Sequence, residues 1–204
     1  MSEPILFCGH HFSWPSQKVA LMLELVGATY SYRQINLMQG EGRSPEYRAI
    51  GRFGQVPAIR HGDFSLCQSD AILAYLADIF GQYGGRDAKE RARIAEWLSW
   101  QADMLANIAR ARAHTLFYKS PEVVIEGFKR DARRALDLLN EHLGTNPFVA
   151  GSALTIADIA CYPAIANMGE IGFAIGDWPQ VKAWLDRVNA LPKVRNPGDF
   201  MPRA

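Results

Sequence analysis

A chain of 204 residues, 49% of them apolar, is long enough to bury one large core or two small ones. Its 22 Lys and Arg balance 21 Asp and Glu, so no net field draws it to nucleic acid or to an anionic membrane. No apolar stretch reaches the roughly 18 residues of a membrane helix, and Met1-Ser2-Glu3-Pro4 carries no basic leader, so a cytoplasmic location is expected.

Pro4-Ile5-Leu6-Phe7-Cys8 is a short apolar run of the kind found in a strand covered on both faces. After Gly9 and a loop through Pro15, the helix formers of residues 16–26 predict a helix closed by Gly27. Residues 29–35 read as a second strand, and strand, helix, strand forms a parallel, right-handed βαβ unit. Beyond a polar loop, residues 56–60 and 64–67 flank His61-Gly62-Asp63 as a hairpin. A third helix runs from Ser69 to Phe80, with Ile72, Leu73, Leu76 and Phe80 on one face and Ser69-Asp70 suited to its N-terminus.

The turn-prone Gly81-Gln82-Tyr83-Gly84-Gly85 then marks a boundary, giving a first domain over residues 1–80, a linker over 81–86 and a second domain over 87–204. Strand signals stop there. Ile94, Trp97, Leu98, Met104, Leu105 and Ile108 keep helical spacing along one long helix, and Ala132, Leu136, Leu139 and Leu143 form another stripe ended by Gly144. Thr155-Ile156-Ala157-Asp158 has the form of a capping box, with Leu154 and Ile159 spaced as a hydrophobic staple. A last helix over residues 179–191 ends before Pro192. The fold class expected is an α+β front half ordered βαβ-ββα followed by an all-α bundle.

In a thioredoxin-like βαβ unit, a Cys-x-x-Cys pair sits where this chain has Ser13-Trp14-Pro15-Ser16. A hydroxyl performs no disulfide exchange, but it can donate a hydrogen bond to a thiolate carried by a ligand, beside the partial positive charge of a helix N-terminus. Lowering a thiol pKa from about 8.5 by two units needs about 2.7 kcal/mol of preference for the anion, which one charge-assisted hydrogen bond plus a helix terminus can supply. The alternative is that Ser13 and Ser16 only cap the helix. Val56-Pro57 suits an edge or a cis turn, with the Val56 backbone open to an extended peptide. Gln68-Ser69 offers an amide, a hydroxyl and helix N–H groups to a carboxylate, or again a simple cap. His10 and His11 lack the further ligands of a metal site and read as solvated loop residues. Cys8, Cys67 and Cys161, scattered and odd in number, read as small buried apolar residues.

Five motifs in order resemble the glutathione transferase superfamily across nearly the whole chain. They are residues 13–19 (SWPSQKV), Arg43-Ser44-Pro45-Glu46, Gly54-Gln55-Val56-Pro57-Ala58, residues 68–73 (QSDAIL) and residues 151–158 (GSALTIAD). The resemblance implies a cytosolic, serine-type member with a thioredoxin-like first domain and a helical second domain. It implies glutathione as co-substrate and no metal, and a small electrophile as the second substrate. Ser13, or alternatively Ser16, would hydrogen-bond the sulfur. Val56 would pair with the cysteinyl backbone, before a cis Pro57. Gln68 and Ser69 would hold the γ-glutamyl end, and Arg43 and Gln55 the glycine carboxylate. The acceptor pocket would draw on His11, Phe12 and Trp14 from the first loop and on Arg110, His114, Phe117 and Tyr118 from the helices, although Arg110-Ala111-Arg112 also reads as a solvated face. A homodimer is implied as well. Gly51-Arg52 departs from the Asn-Pro of many members, which lets Arg52 compete with Arg43. Rival readings are a non-catalytic binding relative and an isomerase, lyase or peroxidase of the same fold. A disulfide reductase is disfavoured because the first loop has no cysteine.

Overall fold

The computed structural model of the chain describes residues 3–194 and Met201. It divides into two compact units, one formed by the chain through Gln82 together with the described residues from Pro192 on, the other by Tyr83–Leu191. Pro192, Lys193, Val194 and Met201 thus group with the first unit, whereas the sequence reading placed them with the second.

In the first unit, strand β1 (Ile5–Gly9), helix α1 (Trp14–Val26) and strand β2 (Tyr30–Gln34) form the βαβ element. The short helix α2 (Pro45–Arg48) precedes the hairpin of β3 (Ala58–His61) and β4 (Phe64–Cys67), which leads to helix α3 (Ser69–Phe80). The sheet order is β2-β1-β3-β4, with β1 and β2 parallel and the other neighbours antiparallel. Helix α1 is buried along almost its whole length, so its sequence is apolar rather than amphipathic, and Val19 through Leu23 are fully enclosed. It stops where expected because Gly27 takes φ +69°, a conformation that costs glycine nothing, and its N–H returns to Glu24.

In the second unit the expected single long helix is broken. Helix α4 (Ala88–Trp100) passes into a π-helical turn, Gln101–Leu105, before α5 (Asn107–Leu116). The wider turn resets the buried row Ile94, Trp97, Gln101, Leu105, Ile108, while Leu98 and Met104, expected in it, are only half-buried. Helices α6 (Glu122–Leu143), α7 (Ile156–Ala166) and α8 (Pro179–Asn189) complete the unit. Helix α7 is buried from Ile156 to Ile165 and begins with the expected box: Thr155 caps Ala157 N–H, and Asp158 returns to Thr155 N–H at 2.9 Å. Among the described residues no helix is long and apolar enough to cross a membrane.

Candidate functional site

The sheet register decides where the chemistry gathers. Cys8 of β1 pairs with Ala58 of β3, which pairs with Cys67 of β4, so the ends of β1 and β4 and the start of β3 lie at one edge of the sheet. The loop with Ser13 comes directly after β1, Gln55-Val56-Pro57 directly before β3, and Gln68-Ser69 directly after β4. These six residues line one cavity of about 340 Å³, walled by Pro15, Leu37, Phe53, Gly54 and Cys67. The Val56-Pro57 bond is cis.

Ser13 is the N-cap of α1, and its Oγ accepts the Ser16 N–H at 3.2 Å, which leaves the hydroxyl proton for another acceptor. Ser16 is fully buried, its Oγ accepts the His10 N–H at 3.2 Å, and it does not line the cavity. The histidines are not the solvated loop residues expected. Both are half-buried, their rings stack at 4.5 Å, His10 Nδ1 accepts the Phe12 N–H at 3.2 Å, and His11 Nδ1 lies 2.9 Å from Gln34 Oε1. The Gln17 side-chain amide donates to the His11 carbonyl at 2.9 Å, so the loop presenting Ser13 is tied on both sides. Burial and the neighbouring His11 hold the His10 pKa below its ordinary value.

Helix α3 opens on Gln68, whose φ of +72° is rare for a residue with a side chain and marks stored strain at the cavity wall. No side chain caps this helix, which leaves its N-terminal partial positive charge beside the cavity. The Gln68 amide reaches Gln55 Oε1 at 3.4 Å. Behind it, the nearly buried Lys18 of α1 pairs with Asp70 of α3 at 3.1 Å and ties the two helices together. Nothing local in the sequence announces Gln68's backbone or the Lys18 pair, whose partners stand 52 positions apart.

Arg43 is separated from the other expected residues. It is exposed on a 3₁₀ turn, Glu41–Arg43, and lines a neighbouring depression that shares Leu37 and Gly54 with the cavity. Arg52 is exposed as well and lies over the Phe53 ring at 6.0 Å. Two residues the sequence reading missed belong here. Cys67 lines the cavity, and Tyr47, fully buried, donates its hydroxyl to the Gln55 carbonyl at 2.5 Å.

The residues expected to meet a second substrate are scattered in character. Trp14 is 3% exposed and belongs to the core, while Phe12 is 48% exposed. In the helical unit, Arg110 is exposed and bonds the Asp103 carbonyl and Asn107 Oδ1, both at 3.0 Å. Arg112, in contrast, is buried and paired with Glu170, so the run is not a wholly solvated face. His114 Nδ1 lies 2.8 Å from Ser120 Oγ and its ring meets Tyr118 and Phe128. Phe117 and Tyr118 are exposed beyond it. Another cavity in this unit, lined by Trp97, Trp100 and His142, includes none of the expected residues.

The glutathione S-transferase N-terminal domain matches residues 7–78 and the C-terminal domain residues 122–187. The Arabidopsis thaliana protein named glutathione S-transferase F10 is 30% identical over 188 residues, covering 86% of this chain and 87% of that one. This chain belongs to the glutathione S-transferase family of enzymes. An Escherichia coli K12 relative named disulfide-bond oxidoreductase YfcG is also 30% identical, over 86% of both chains. A crystal structure of a family member from Pseudomonas fluorescens Pf-5, described with two glutathione molecules bound, is 29% identical. It superposes with a TM-score of 0.87 over 96% of this chain and 92% of that one. Among the described residues no group of three or more His, Cys, Asp or Glu side chains could hold a metal ion.

Proposed function

We propose that this family member binds glutathione in the sheet-edge cavity as its co-substrate, lowers the thiol pKa through Ser13, and presents the thiolate to a small electrophile. The carrying observation is that Ser13 accepts the Ser16 N–H and still has its own proton to donate, at the N-terminus of α1 and on the cavity wall. The burial of Ser16, away from the cavity wall, favours Ser13 for that role. In this reading the Val56 backbone pairs with the cysteinyl residue. The uncapped α3 terminus with Gln68 and Ser69 takes the γ-glutamyl carboxylate, and Gln55 takes the glycine end, with Arg43 as a charge at longer range. The thiol proton leaves to solvent; the thiolate then forms a sulfur–carbon bond as a leaving group departs or as a double bond is added across. The acting species is a homodimer in the cytoplasm.

Titrating the thiolate ultraviolet absorbance of bound glutathione tests this. The wild type gives a pKa about two units below the free tripeptide, Ser13→Ala restores the free value, and Ser16→Ala keeps the low one. A low pKa that survives in Ser13→Ala removes Ser13 from the role.

The name of the Escherichia coli relative supports a second reading, thiol–disulfide exchange between bound glutathione and a disulfide substrate. A protein thiol of the first strand does not serve it: Cys8 is fully enclosed and burial pushes its pKa up to about 11. Here too Ser13 would stabilise glutathione's own thiolate. Measuring disulfide reduction and aryl transfer in parallel separates the two readings.

A further inference from the structure

The segment that carries Gln55 and Val56 leaves and returns to one residue. Tyr47, on α2, has zero exposure, and its main-chain carbonyl accepts the N–H groups of Ile50 at 2.8 Å and Gly51 at 2.7 Å. Its side-chain hydroxyl then reaches across the loop to the Gln55 carbonyl at 2.5 Å. Gly51 lies flush on the ring: a Cβ there would come within 2.6 Å of it, so the close approach of loop to ring requires glycine. Further along, Gly54 packs against the Gly42 carbonyl, where a Cβ would sit 2.8 Å away.

The ring itself rests among Cys8, Ile35, Ile50, Ala58 and Cys67, an apolar cluster that would accept phenylalanine equally well. Burying a hydroxyl there carries a desolvation cost that one hydrogen bond offsets. That bond ends on the residue immediately before Val56. Burial also holds the phenol far above its ordinary pKa, so it stays a donor throughout any practical pH range.

We infer that Tyr47 is a positioning residue for glutathione, its hydroxyl fixing the Gln55-Val56 backbone in the place where the tripeptide's cysteinyl residue pairs. The inference rests on the proposed glutathione site. Tyr47 touches no reacting atom, so its loss acts on binding and not on the chemical step.

The experiment compares Tyr47→Phe with Tyr162→Phe, which deletes a buried tyrosine hydroxyl bond of similar length, 2.7 Å to Asn189 Oδ1, in the helical unit. Calorimetry with glutathione and with S-methylglutathione reads the backbone pairing with and without a free thiol. Tyr47→Phe weakens both ligands about 5-fold, the scale of one net hydrogen bond, while kcat at saturating glutathione and the bound-thiol pKa stay at wild-type values. Amide exchange of residues 54–56 speeds up in the unliganded protein. Tyr162→Phe loses stability with no change in either affinity. Unchanged affinity in Tyr47→Phe overturns the inference, as does an equal loss in Tyr162→Phe, which would make the effect one of general stability. A wild type that binds neither ligand overturns the glutathione reading itself, and this inference with it.

Discussion

Helices α1 and α7 each begin on a hydroxyl residue, and the two hydroxyls are committed to different degrees. At α7, Thr155 Oγ1 accepts the Ala157 N–H and also meets Asp158 Oδ2 at 3.2 Å. Asp158, fully buried, in turn accepts from the Val149 N–H at 2.8 Å and the Trp184 indole N–H at 2.9 Å. Every donor there has its acceptor, and the group is closed to any ligand. At α1, Ser13 accepts one N–H and keeps its proton, half-buried on a cavity wall. The same capping device, saturated, serves the fold alone; left one bond short, it keeps a donor to offer.

Removing the saturated cap's centre gives the largest effect. Burial pushes the Asp158 carboxyl up from its usual range, and the Val149, Trp184 and Thr155 donors oppose that shift. Asp158→Ala leaves those donors buried and unpaired and costs about 3–5 kcal/mol in denaturant unfolding followed by Trp fluorescence. A loss under about 1 kcal/mol would show that the network is not what holds α7.

The next comparison substitutes the two caps themselves. Ser13→Ala and Thr155→Ala each cost about 1 kcal/mol of stability, the ordinary worth of an N-cap. Only Ser13→Ala also lowers kcat/KM, by about 10- to 100-fold at pH 6.5, because two units of thiol pKa set the thiolate fraction there. Equal catalytic losses in the two variants would erase the distinction drawn between the caps.

Much of this contrast was legible in the sequence, and the boundary of what was legible is physical. Element order, the Gly27 stop, the Thr155-Asp158 box and the Val56-Pro57 turn all arise from local periodicity and from residues with strong backbone preferences. The gathering of Ser13, Val56 and Gln68 in one site was expected from the family resemblance, and the sheet register supplies its geometry. Three features were not accessible. Gln68 at φ +72° sits where glycine or asparagine would have been the signal. The π-helical turn at Gln101–Leu105 conceals itself because the apolar residues on either side still fit helical spacing. Trp14 reads equally well as pocket or core, and its enclosure depends on packing that no short window records.

Gln68 also offers a smaller perturbation. Gln68→Gly relieves the strained φ and raises stability by about 1 kcal/mol, yet it deletes the amide that faces Gln55 and weakens glutathione binding several-fold. Stability and affinity moving in the same direction would mean that the strain serves no function.

The smallest effect lies in the loop beneath Ser13 and has a definite sign. His10 Nδ1 accepts the Phe12 N–H, which requires that nitrogen to be unprotonated. Burial, and then the stacked His11, hold the folded-state pKa below the ordinary 6.5. As pH falls, the unfolded chain therefore takes up the proton first, so stability is level above about 6.5 and declines between that value and the folded pKa. Below the folded pKa the contribution is gone and the slope ends. His10→Asn keeps an acceptor for the Phe12 N–H but removes the titration, so the stability lead of the wild type over this variant shrinks as pH is lowered from 8 to 5. Parallel profiles for the two proteins would assign the acid sensitivity elsewhere and leave the first loop insensitive to pH.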